Sequence, residues 1–189
     1  MKKLLTLITL VIASTQLRAQ AVPTADKLAD VQVGVLFSGA KPDYGTSTWH
    51  GYGFYGDVDL RYHLGIEFNF HQLSGPDPVL YERTYQLGGR YLYPIHDRFV
   101  PYAKFMLGRG VFNFAGTDSS GQSVQIANLA YNTQAIGGGL DLRLRPGLNL
   151  RVIDFEYQRW GNFPPRNLNP SILSIGVAYH FHGKMGLKN

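Results

Sequence analysis

The sequence has no cysteine and few charged residues. The absence of cysteine from its 189 residues excludes a disulfide framework, a thiolate metal site, a cysteine nucleophile and a cysteine-linked lipid anchor. Asp, Glu, Lys and Arg make up 16% of the chain, against about 25% in ordinary soluble domains. Aromatic residues, at 13%, and 22 glycines are plentiful. A disordered chain would be charge-rich and aromatic-poor, so this composition indicates a folded protein.

Long hydrophobic runs are also missing after the first twenty residues. None approaches the roughly 18 residues that a helix needs to cross a bilayer, which excludes a helical membrane bundle. At the start, Met1-Lys2-Lys3 is basic, residues 4–13 form a short apolar core, and Ala19-Gln20-Ala21 has the small-x-small form of a cleavage site. Residues 1–21 are therefore predicted to be a cleaved signal peptide. The remainder divides into a barrel domain, residues 22–181, and a short C-terminal tail, residues 182–189.

The basic character of the chain belongs mostly to this leader. Without Lys2, Lys3 and Arg18 the net charge falls from +5 to +2. No later segment interleaves basic and aromatic residues as a nucleic-acid surface would, so no nucleic-acid partner is predicted.

From residue 29 onward, apolar and polar residues alternate with the period of a half-buried strand. Phe68 and Phe70, for example, alternate with Glu67 and Asn69. Eight such stretches of about ten residues are joined by longer polar loops that alternate with short turns; the longest predicted loop covers residues 116–128. Closing this meander into a ring removes its edges, and ten tilted residues span a bilayer. The prediction is an all-β, eight-stranded, antiparallel up-and-down transmembrane β-barrel with periplasmic N- and C-termini.

Alternation alone does not say which face is outside. A soluble barrel of the lipocalin type, with an apolar cup inside, has the same periodicity. Aromatic residues near the strand ends on the apolar face are typical of a membrane girdle and favour the transmembrane alternative. The predicted girdle residues are Tyr52, Tyr62, Tyr91, Tyr93, Tyr179 and Phe181.

The opposite face carries charges of both signs, which would fill the narrow interior. We interpret them as a salt-bridged plug, because unpaired buried charges are costly; a narrow gated ion path is the alternative. The predicted lumen charges are Asp57, Asp59, Arg61, Glu67, Arg90, Lys104, Asp141, Arg143, Arg151, Asp154 and Glu156. No cofactor or metal is predicted.

The seventh stretch contains a slip in its alternation. Arg151 shares the inner face with Asp154 and Glu156 only if one extra residue is inserted at Val152-Ile153. A β-bulge costs less than placing two carboxylates in hydrocarbon. The sequence therefore predicts a bulge there, with at least one of these carboxylates salt-bridged inside.

Three stretches resemble the small OmpA-like outer-membrane β-barrel proteins. They are Ile136-Gly-Gly-Gly-Leu-Asp-Leu-Arg-Leu, Leu150-Arg-Val-Ile-Asp-Phe-Glu-Tyr-Gln and Leu173-Ser-Ile-Gly-Val-Ala-Tyr-His-Phe. The resemblance covers the mature chain and implies an outer-membrane protein of the cell envelope with a structural or surface-exposed role. It also implies contact with outer-membrane lipid or lipopolysaccharide, and with the envelope assembly machinery during insertion.

Two other kinds of function remain as alternatives. A ligand or adhesion partner could bind the loops, where aromatic and basic side chains are expected to be exposed. These side chains are Tyr44, Trp49, Tyr81, Trp160, Phe163 and Arg166. A lipid-modifying enzyme is not favoured, because the local pair His71 and Ser74 lacks the pattern of lipid A deacylases. A metal site at His180 and His182 lacks a third ligand.

Overall fold

The computed structural model describes residues 29–43, 45–60, 63–77, 79–95 and 98–181. The predicted signal peptide and C-terminal tail lie outside these residues, as do Tyr44, Arg61, Tyr62 and His182. The described chain forms eight strands: β1 (Ala29–Lys41), β2 (Trp49–Leu60), β3 (Leu64–Ser74), β4 (Tyr81–Leu92), β5 (Phe99–Thr117), β6 (Ser123–Arg145), β7 (Leu148–Trp160) and β8 (Ser171–Phe181). It contains no helix long and apolar enough to span a membrane.

The strands form one closed antiparallel barrel in chain order. Each pairs with the next along the sequence, and β1 pairs with β8 from Val31↔Phe181 to Lys41↔Ser171. Closure gives hydrogen-bond partners to the backbone groups of β1 and β8, which would otherwise be edge strands. A sheet in hydrocarbon requires this. The predicted eight-stranded up-and-down barrel is confirmed. We call the end that carries residues 42–48, 75–80, 118–122 and 161–170 the loop end, and the other the turn end.

The connection between β5 and β6 differs from the prediction of a loop over residues 116–128. The two strands continue as a hairpin beyond their neighbours, with a turn at residues 118–122. Aromatic and β-branched residues such as Phe114, Val124 and Ile126 favour extended backbone. In the turn, the Asp118 carboxylate accepts hydrogen bonds from Ser120 and from the backbone of Gln122. These bonds, the one from the Ser120 side chain above all, lower the pKa of Asp118.

The apolar face of the sheet points outward. Outward-facing side chains in the middle of the strands are about half exposed. Phe54 and Phe68, for example, are 48% and 47% exposed. The described girdle residues Tyr52, Tyr91, Tyr93, Tyr179 and Phe181 also lie on this outer surface, each at least 50% exposed. The last four lie toward the turn end and Tyr52 toward the loop end. This arrangement is the reverse of a lipocalin-type barrel and suits a lipid environment.

The predicted bulge in β7 is confirmed. On the β6 side Leu140 pairs with Ile153 and Asp141 with Arg151, so Val152 has no partner. On the β8 side the register shifts between Arg151 and Asp154. Val152 and Ile153 both point outward, at 38% and 43% exposed, while Arg151 and Asp154 are buried.

Arginine in place of Phe68 is expected to destabilise the barrel in lipid bilayers by about 2–4 kcal/mol, because it puts a cation near the bilayer midplane. Denaturant unfolding from lipid vesicles measures this. Tyr91→Arg, near the turn end, is the depth control and should cost about 0–1 kcal/mol. Equal costs at the two depths would contradict the outward assignment.

Candidate functional site

The barrel interior holds a dense group of paired charges that includes most of the predicted set. Eight of these residues are buried and interconnected, and together they come from six strands, β2 to β7. We call them the charge network: Asp57, Glu67, Arg90, Lys104, Asp141, Arg151, Asp154 and Glu156. The network contains three cations and five carboxylates.

Arg151 occupies the centre of the charge network. Its guanidinium nitrogens lie 2.9 Å from carboxylate oxygens of Asp57 and of Asp141, and 3.1 Å from Glu67. The guanidinium carbon also lies 3.7 Å from the centroid of the Tyr55 ring. Arg151 thus joins carboxylates from three other strands, and its planar fork allows the simultaneous contacts.

Arg90 shares all three of these carboxylates. It contacts Asp57, lies 2.9 Å from Asp141, and approaches Glu67 to 3.3 Å. Its guanidinium carbon lies 4.3 Å from the Tyr102 ring centroid. The two arginines, on β4 and β7, therefore hold Asp57 between them.

Lys104 holds a second group of carboxylates. Its Nζ lies 2.8 Å from Glu67, 2.7 Å from Asp154 and 2.7 Å from Glu156. The bonds to Asp154 and Glu156 are the internal salt bridges predicted for β7. Oxygens of these three carboxylates lie within 4.8 Å of one another, a spacing that could hold a cation. The lysine ammonium contacts all three, so it supplies the positive charge that a metal would otherwise bring.

Two predicted lumen residues lie at the edge of the charge network. Asp59 has a side chain 18% exposed and lies 3.5 Å from Arg90. Arg143 is half-buried, and the described residues include no salt bridge to it. Both line a polar recess of about 10 Å³ at the turn end, a space no larger than one water. In the same recess His180 Nε2 lies 2.6 Å from Asp30.

A serine and a histidine lie next to the charge network and connect to one of its carboxylates. Ser38 Oγ is 3.2 Å from His71 Nδ1, and His71 Nε2 is 3.7 Å from Glu156. Sequence reasoning paired His71 with Ser74 instead, because it examined neighbours along the chain. The order of groups resembles a hydrolase triad. However, Ser38 is 0% exposed and Oγ also bonds Ser174 at 2.8 Å, so a substrate has no path to it.

The loop end of the interior is closed by an apolar layer, which we call the cap. Its buried members are Ala40, Trp49, Leu73, Phe112, Trp160, Leu168 and Ile172. The prediction that Trp49 and Trp160 are exposed on loops is wrong: they are 2% and 0% exposed. Trp49 begins β2 and Trp160 ends β7, and both continue the inward parity, which was the signal available in the sequence. The Trp160 Nε1 donates to Gln158 at 3.0 Å, which satisfies its buried polar atom.

Outside the cap, the loops surround a cavity of about 340 Å³, which we call the mouth pocket. Its walls are mostly apolar and are formed by Leu80, Phe112, Phe114, Phe163, Pro164, Pro165 and Leu168. Asp43, Arg166 and Asn167 supply polar groups. Of the loop residues predicted to be exposed, Arg166 is exposed and Phe163 and Tyr81 are half-buried. The size and lining are typical of small-molecule sites.

Comparison with known families assigns the chain. Residues 5–181 match the family described as the outer membrane protein beta-barrel domain. The chain belongs to this family. Its location is therefore the outer membrane, and the apolar outer surface suits a lipid environment. No curated protein matches the sequence.

Solved structures of this family's architecture share the fold at low sequence identity. Neisserial surface protein A is 17% identical with a TM-score of 0.57, over 81% of this chain and 97% of that chain. The attachment invasion locus protein Ail of Yersinia pestis is 20% identical with a TM-score of 0.52, over the same shares. The N-terminal barrel of Pseudomonas aeruginosa OprF is 12% identical with a TM-score of 0.52, over 81% and 99%. At these identities the likeness concerns the fold alone.

Proposed function

We propose that this outer-membrane barrel is a closed membrane anchor that presents its loop end at the cell surface. The observation that carries the proposal is the double closure of its interior, by the charge network and then by the cap. Eight strands leave an interior just wide enough for side chains, and here buried ion pairs fill it. The role of the charge network in this proposal is structural. Short turns and both barrel termini would then face the periplasm.

In planar bilayers, the purified protein is expected to give no stable opening of porin size, because the charge network and the cap both fill the interior. A sixteen-stranded porin inserted into the same bilayer is the positive control, since barrels of that size enclose an aqueous channel. Stable porin-sized steps would overturn the closed interior.

The mouth pocket supports a second function, binding of a small ligand at the surface. Three phenylalanine rings would hold an apolar body, and Arg166 on the rim would hold an anionic group. An enzymatic role has less support, because the Ser38–His71–Glu156 arrangement lies beneath the cap. The proposed activity is therefore binding without chemistry.

Phe163→Ser is expected to weaken binding of 4-phenylbutyrate about tenfold, equivalent to about 1.4 kcal/mol. Phe163 lies 5.1 Å from Phe112 and 5.8 Å from Phe114 between ring centroids, so its loss removes one pocket wall. Calorimetric titration of protein in nanodiscs measures the affinity. Phe105→Ser, on the outer wall, is the matched control and should leave it unchanged. No binding by the unmodified protein would reject this second function while leaving the closed anchor intact.

A further inference from the structure

A depression interrupts the outer wall near the loop end, where β1, β8 and β7 lie side by side. It encloses about 500 Å³ and is lined almost entirely by apolar surface. Gly39 is at its centre. In the register of the sheet Gly39 pairs with His50 on one side and Leu173 on the other, and Leu173 pairs with Phe155. A glycine among larger outward side chains leaves the space open.

The depression is apolar toward the middle of the barrel and polar toward the loop end. Phe37 and Ile175, one pair nearer the middle of the barrel, form its apolar floor. Lys41 and Thr48 lie at its loop end and His50 lies beside Gly39, and all three are exposed. Lys41 lies on the outward parity of β1, two residues above Gly39. The nearby acidic residue Asp43 accepts hydrogen bonds from the backbone and side chain of Asn169 at 3.1 Å.

We propose that this depression binds one acylated, phosphate-bearing lipid of the outer leaflet. An acyl chain lies over Gly39 between Phe37, Leu173 and Phe155, and the phosphate meets Lys41 and His50. Because the wall faces the bilayer, a lipid is the molecule that meets it. The cationic end matches a net-anionic headgroup at the depth where headgroups lie. The inference rests on the outer-membrane location and on the proposed exposure of the loop end at the cell surface, and does not depend on the mouth pocket.

Gly39 offers a direct test because a side chain fits there without backbone strain. A Cβ at this position would find its nearest neighbours at 3.9 Å and 4.0 Å, so Gly39→Phe would fill the depression. Gly56 is the matched control. It lies on the outward parity of β2, and a Cβ there also has its nearest neighbour at 3.9 Å. Gly56→Phe therefore makes the same change on the same lipid-facing surface, away from the depression.

The experiment is native mass spectrometry of the full chain released from nanodiscs with equal phosphatidylglycerol and phosphatidylcholine of identical acyl chains. We expect one retained lipid per barrel, with about a fivefold preference for phosphatidylglycerol, the amount expected for one basic side chain near a membrane surface. Gly39→Phe should lose the retained lipid and Gly56→Phe should keep it. Lys41→Gln should keep a lipid but lose the preference.

Several outcomes would overturn the proposal. Equal lipid retention by Gly39→Phe and Gly56→Phe would mean that the depression holds no particular lipid. No headgroup preference in the unmodified protein, or an unchanged preference in Lys41→Gln, would mean that Lys41 does not select a net-anionic headgroup and would overturn that part of the proposal. Because Lys41 is exposed, this second variant still decides the matter if Gly39→Phe fails to fold. Loss of a dimer instead of a lipid in Gly39→Phe would assign the depression to a second copy of the chain.

Discussion

Replacing Arg151 by methionine is expected to destabilise the barrel by about 3–5 kcal/mol, because it removes one of the two buried guanidinium groups that three buried carboxylates share. Arg151 is 0% exposed and contacts Asp57, Glu67 and Asp141 within 3.1 Å. The charge network already has more carboxylates than cations, so losing a cation increases an existing excess of negative charge. Denaturant unfolding from lipid vesicles, followed by circular dichroism, measures the change.

Asp57→Asn is the matched control for Arg151→Met. The Asp57 Oδ2 oxygen accepts hydrogen bonds from Arg90, Arg151 and Gln32, whereas Oδ1 accepts none from the described residues. An asparagine oxygen placed at Oδ2 keeps the accepted bonds and reduces the negative excess. We expect this variant to cost clearly less than Arg151→Met. If the two substitutions lower the free energy of unfolding equally, the charge network does not stabilise the barrel through its balance of charge.

Trp160→Ala should be comparably damaging, at about 3–5 kcal/mol, because it removes a fully buried ring and leaves a cavity in the cap. Trp160 is 0% exposed and contacts the rings of Tyr131 and Phe163. Circular dichroism is the appropriate measurement, since the chain has only two tryptophans and fluorescence would lose half its signal. Trp160→Phe keeps most of the volume and is expected to cost less. Stability of Trp160→Ala equal to that of the unmodified protein would show that the cap is not packed in the membrane.

Gly110 provides a second check on the cap. A Cβ at Gly110 would lie 2.6 Å from atoms of the Trp160 ring, so Gly110→Ala should destabilise the unmodified protein. In the Trp160→Ala background the ring is gone, and the same substitution should be tolerated. This non-additivity is expected only if the two residues contact each other as described.

Local alternation in the sequence determined the strands and the β7 bulge, and the aromatic residues near the strand ends indicated which face points outward. Phe68 and Asn69 point to opposite sides of the sheet because successive side chains of a β-strand alternate between its faces, independently of the rest of the barrel. Val152-Ile153 revealed the bulge because carboxylates in lipid cost more than one disrupted pairing. The hairpin over residues 114–127 was missed, since its polar residues obscure the alternation of Phe114, Val124 and Ile126. Trp49 and Trp160 were predicted to lie on exposed loops because the inward parity of their strands was not followed to the strand ends.

The partners inside the barrel were decided only by the tertiary structure. Asp57 and Arg151 are 94 residues apart in sequence and meet because closure of β1 on β8 brings β2 and β7 to facing walls. The alternation shows that both point inward, but the stagger of strands around the ring sets their relative height. Ser38, His71 and Glu156 come together for the same reason, and so do the residues around Gly39 on the outer wall. The sequence by itself therefore determined which side chains face the lumen and which face lipid, because that depends on one strand at a time. Which of them touch depends on all eight strands at once, so only the closed barrel could decide it.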